Sequence, residues 1–161
     1  MMPDYVKENV ADTADGQFLL GAFLTRKYKT GATAEGRPQV EYPVPTLTVG
    51  GELDGLCRIT RITEALYTQV TFSEDPEKAA ERMPVTVIPG MNHMEFASGE
   101  IPPFVKESDI QADISEDEAQ ELVVADVSAY LNALVYPEQT QYMDTIHNRV
   151  KESTNFTQAI T

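Results

Sequence analysis

Pro45-Thr-Leu-Thr-Val-Gly-Gly-Glu-Leu-Asp54-Gly55 is the stretch that decides the fold. Its first half is apolar and β-branched, which suits a buried strand. Its second half is a glycine turn that delivers a carboxylate, Asp54. The same grammar returns further along. Pro84-Val-Thr-Val-Ile88 is a short apolar run, Pro89-Gly90 is a turn, and His93 follows. An acid after one strand and a histidine after the next lie at the same end of a parallel sheet.

Working outward, Gln17-Phe-Leu-Leu-Gly-Ala-Phe-Leu24 is near-continuously apolar, as a strand buried on both faces would be, with a buried helix segment as the competing reading. Between these strands lie helical patterns. Cys57 to Thr71 places Ile59, Ile62, Leu66 and Val70 at spacings of three and four. Asp75-Pro76 is a cap followed by a first-turn proline, opening a short helix to about Arg82. Ser115-Glu-Asp-Glu118 is a capping box. It starts a helix to about Val135 whose buried face is Ala119, Leu122, Val123, Val127, Tyr130, Leu131 and Leu134. The acidic residues from Glu116 to Asp126 read as a solvated face of that helix. Residues 2 to 11 read as a short helix with Tyr5, Val6 and Val10 on one side.

The remainder is polar. Thr25 to Tyr42 carries Gly31, Gly36 and Pro38 and reads as a loop or a small cap. Pro89 to Ala112 reads as a glycine- and proline-rich loop. The expected organisation is one α/β domain over residues 1–136, with residues 137–161 as a polar tail or a docked helix. Strands alternating with helices predict a three-layer α/β/α fold, with the three parallel strands side by side in chain order. Open parallel sheets carry their chemistry at the carboxyl ends of strands, where Asp54 and His93 fall.

Composition narrows the partners. Of 161 residues, 12 are basic and 26 acidic, a formal net charge of −14. Such a charge repels phosphate backbones and anionic lipid surfaces, so nucleic acid and membranes are poor partners. No stretch approaches the length of an apolar membrane span. The single cysteine, Cys57, allows no intrachain disulfide and reads as a small, half-buried residue beside the turn. The first residues show no basic region leading into an apolar core, and compartment is not legible. Glu52 and Glu95 stand near Asp54 and His93, but no tight ligand spacing supports a metal site, and no cofactor motif is present. His147 lies in the polar C-terminal stretch with no strand context.

On Pro45 to Gly55 and on Val87-Ile-Pro-Gly-Met-Asn-His93-Met, the chain resembles the C-terminal half of the α/β-hydrolases. In that family the triad acid follows strand seven, the histidine follows strand eight, and a long helix closes the domain. The resemblance implies strands six, seven and eight at Gln17, Val44 and Val85, and catalytic roles for Asp54 and His93. A serine hydroxyl is a weak nucleophile until an imidazole takes its proton, and a buried carboxylate orients that imidazole and stabilises it once charged. Gly51 and Gly55 are expected to let the backbone turn sharply around Asp54. The competing reading makes Asp54 a cap for the following helix and His93 a loop residue. Met91, Met94, Phe96 and Phe104 would line an apolar acyl pocket or serve as ordinary core.

The chain departs from the family in one respect. The nucleophile belongs in Gly-x-Ser-x-Gly after strand five, and no such motif occurs. The expectation is therefore a chain that begins just downstream of that serine. It supplies the acid and histidine of an ester, thioester or amide hydrolase and is inactive alone. The substrate expected for the full-length parent is a small-molecule ester or amide. A second reading is a non-catalytic scaffold, a homo-oligomer that covers its open sheet edge. A third is a small α/β enzyme using Cys57.

Overall fold

The computed structural model describes residues 14–23, 31–32, 38–39, 44–64 and 75–158. The helix expected at residues 2 to 11, most of Thr25 to Tyr42 and the second half of the Cys57 helix lie outside them. Three strands, β1 (Gln17–Leu20), β4 (Thr46–Gly51) and β5 (Val85–Ile88), form a parallel sheet in the order β1-β4-β5. Gln17 pairs with Thr46 and Thr48 with Val85. A separate antiparallel pair joins β2 (Gly31–Ala32) to β3 (Pro38–Gln39). The class is α/β, and the three parallel strands lie side by side in chain order as the crossover rule predicts.

Every residue of β4 and β5 is buried, because neighbours lie beside and across both faces. Leu47 and Val49 of β4 pack with Ile88 and Met91 under two long helices, α4 (Glu116–Val135) and α5 (Thr140–Gln158). Successive strand residues alternate faces. Gly50 accordingly lies on the other side, against Ile62 of a helical stretch at 59–64, α1. Ile62 joins Cys57 and Val85 in a second cluster. Burying each such aliphatic side chain is worth about 1.5–3 kcal/mol.

The strand expected over Gln17 to Leu24 is shorter. Gly21 takes a left-handed φ of +55° and turns the chain out of the sheet after Leu20. It is also only half-buried, because among the described residues β1 pairs with β4 alone. Asp75 caps α2 (Pro76–Arg82) by accepting from the Lys78 amide at 3.2 Å. The loop after β5 is more ordered than its composition implies, with a 3-10 turn over Met94–Phe96 and a short helix α3 (Pro103–Ser108).

Ser115 caps α4 as expected, its Oγ accepting from the Glu118 amide at 3.3 Å. Two readings of that helix need correction. Leu131 is 48% exposed, its place on the inner face taken by Ala129 and Ala133, which let α4 approach closely. Asp126 is not on the solvated face but buried, paired with Arg149 of α5 at 2.9 Å. The polar C-terminal stretch is a docked helix, not a frayed tail. Ile146 of α5 is fully buried, and Ser153 accepts from the Val87 amide of β5 at 2.7 Å. Among the described residues no helix is long and apolar enough to cross a membrane.

Candidate active site

The regular ladder between β4 and β5 ends at the Gly51–Ile88 pair. Beyond it the two exit loops stay in contact through their backbones. The Glu52 amide donates to Ile88 O at 3.0 Å and the Leu53 amide to Met91 O at 2.8 Å. This approach explains Gly51, which does not take a left-handed conformation as the sharp-turn expectation implied. A Cβ there would sit 2.5 Å from Met91 O, and one on Gly55 would sit 2.9 Å from Ser108 O. Both glycines make room for neighbouring backbone.

The paired loops bring Asp54 and His93 together. His93 Nδ1 lies 2.8 Å from Asp54 Oδ2. The Asp54 side chain is fully buried, and that of His93 is 33% exposed. Asp54 Oδ1 accepts from the Leu56 amide at 2.9 Å and from the Cys57 amide. The capping role and the histidine-facing role therefore coexist, one on each oxygen. With Nδ1 donating to the carboxylate, Nε2 carries the lone pair that can take a proton. The ring also meets Phe96 edge to face, with centroids 6.2 Å apart. Gly21, just after β1, leaves room for both rings, since a Cβ there would lie 2.8 Å from Phe96 Cδ2 and 3.0 Å from His93 Nδ1.

Several sequence candidates fall elsewhere. Glu52 Oε2 accepts from the Gly90 amide and Glu95 Oε2 from the Asn92 amide, both at 2.9 Å. They brace loops, and among the described residues no group of three or more His, Cys, Asp or Glu is placed to hold a metal. Met91 is fully buried in the main core and cannot line a pocket. Phe104 is 70% exposed. His147 sits on α5, not on either exit loop. Burial first, and then the Asp54 charge, raise the Cys57 thiol from 9.0 to about 11. It stays protonated at neutral pH, which removes the thiolate that cysteine chemistry requires.

Two residues were missed. Asn92 is fully buried, its Nδ2 donating to Ile110 O at 2.7 Å and its Oδ1 accepting from the Met94 amide at 2.8 Å. Asp109 accepts from amides in both exit loops. Neither carries a local signal. Asp109 in particular bonds to residues distant in sequence, from a stretch with no periodicity. Comparison with family models, with curated proteins and with solved structures finds no significant match for this chain.

Proposed function

We propose that Asp54 and His93 are the acid and general base of a serine-hydrolase relay of the α/β-hydrolase type, acting on ester, thioester or amide bonds. The observation that carries this reading is the 2.8 Å contact between His93 Nδ1 and a fully buried carboxylate whose other oxygen is held by backbone amides. That carboxylate selects the tautomer with Nε2 free and stabilises the imidazolium. Nε2 takes the hydroxyl proton as the nucleophile attacks the carbonyl, then returns it to the leaving group; water repeats the cycle on the acyl intermediate. The parallel order β1-β4-β5, with both residues at carboxyl ends and a long helix following, supports the same reading.

No Gly-x-Ser-x-Gly occurs in these 161 residues, so the nucleophile in this reading comes from other polypeptide. The chain alone should then show no turnover of a p-nitrophenyl ester above background. Joined to in-frame upstream sequence carrying the motif, it should turn the ester over. His93→Ala should abolish that activity, and Asp54→Asn should lower kcat by about four orders of magnitude, as loss of a triad acid does elsewhere. Upstream coding sequence without the motif, or turnover by this chain that survives His93→Ala, ends the reading.

A further inference from the structure

Past the end of the ladder the Glu52 and Leu53 amides and the Glu52 carboxylate still join the two exit loops, but a hydrogen-bonded dyad needs its own residues, further out, fixed to within about 0.5 Å. A further side chain joins the loops beside the dyad itself. Asp109 follows α3, and its Oδ1 accepts from the Gly55 amide at 2.7 Å and from its own neighbour Ile110 at 3.0 Å. Its Oδ2 accepts from the His93 amide at 2.8 Å and the Met94 amide at 3.1 Å. Gly55 directly follows Asp54, so a single carboxylate holds the residue after the acid and the backbone of the histidine itself. Asn92 anchors the same segment from below through Ile110 O.

We propose that Asp109 is a positioning residue: it ties the acid loop to the histidine loop and thereby sets the Asp54–His93 hydrogen bond. The proposal rests on reading those two residues as the working pair. Carboxylate–amide bonds are charge-assisted and short, so the clamp is stiff. An amide in its place supplies one oxygen and turns an NH2 toward two N–H donors, so one loop must be released.

The test reads the dyad and requires no turnover. In 15N-labelled chain, the Nδ1 proton shared with Asp54 should give a far-downfield signal, and the ring nitrogen shifts should report the tautomer protonated at Nδ1. Asp54→Asn defines full uncoupling: the signal is lost and the ring swings toward the tautomer protonated at Nε2. Asp109→Asn should move the ring most of the way to that state while the rest of the amide spectrum stays folded. Asp109→Glu, which keeps the charge but misplaces it, should show an intermediate swing. Glu107→Gln, which removes a nearby exposed charge, should change neither. In the Asp54→Asn background, Asp109→Asn should add nothing. Folded Asp109 variants with wild-type ring signals overturn the proposal. So does a further swing in the double variant, which would mean that Asp109 acts on the ring directly. Loss of fold in both Asp109 variants also counts against it, because the residue would then hold the fold and not the dyad. The hydrolase reading fails separately, on the ester assay.

Discussion

The Oδ1 of Asp54 accepts from the Leu56 and Cys57 amides, and its Oδ2 faces His93. A residue that reads in sequence as either a cap or a catalytic acid is here held by the cap with its other oxygen on His93. The turn it makes also buries Cys57, whose thiol is pushed from 9.0 up to about 11 by burial and by the Asp54 charge. A raised value means that the unfolded chain ionises first. The contribution is whole below pH 9, declines as pH rises and is gone above about 11. Denaturant midpoints measured across this window should fall, and Cys57→Ala should flatten that fall. The Tyr130 phenol, raised by burial against the lowering effect of Arg82, adds its own loss only above its ordinary 10.0. An equal decline in both proteins between pH 9 and 10 would contradict the assignment. Only part of the burial behind this shift is written in the local sequence, because Ile62 is five residues away but Val85 reaches Cys57 from β5.

α5 shows how a polar element docks. Met143, Ile146, Val150 and Ser153 recur at spacings of three and four, a narrow stripe that packs on the core and on β5. The stripe was present in the sequence, but few of its neighbours are apolar, so the stretch read as tail or helix alike. What decides docking are polar groups that meet their partners only after folding. Ser153 Oγ takes the Val87 amide and donates to Arg149 O at 2.8 Å. Arg149 Nε donates to the buried Asp126 at 2.9 Å, and its Nη1 to Glu152 at 3.1 Å. Burial works against the Arg149 charge, but these two carboxylates outweigh it and raise its pKa. Asp126 Oδ2 and Arg149 Nη2 are buried and have no hydrogen-bond partner among the described residues. Arg149→Ala, which strands the Asp126 charge, should cost about 3 kcal/mol in urea unfolding. Replacing both, as Asp126→Leu with Arg149→Met, should recover most of that loss. A single variant within about 0.5 kcal/mol of the parent would show the pair to be solvated in solution.

At the scale of the whole molecule, charge and topology separate what can be read in advance from what cannot. A net charge of −14 makes the compact state repel itself. Raising NaCl from about 10 mM to about 150 mM shortens the screening length from about 30 Å to about 8 Å. Tm should therefore rise over that range; a constant or falling Tm would mean that the acidic groups are already paired. The α/β class, the three strands, the Ser115 and Asp75 caps and the position of Asp54 and His93 after successive strands were legible in the sequence, because each rests on a short strand, turn or capping pattern. Boundaries that depend on a single glycine, such as the end of β1 at Gly21, were not. Neither were the burial of Asp126, the exposure of Leu131 and the clamp at Asp109. Local sequence determined which segments become strands and helices, since backbone propensity and hydrophobic period act over a few residues. Tertiary structure alone decided which polar atoms meet, since a buried carboxylate takes its partners from wherever the packed chain brings an amide or a guanidinium within reach.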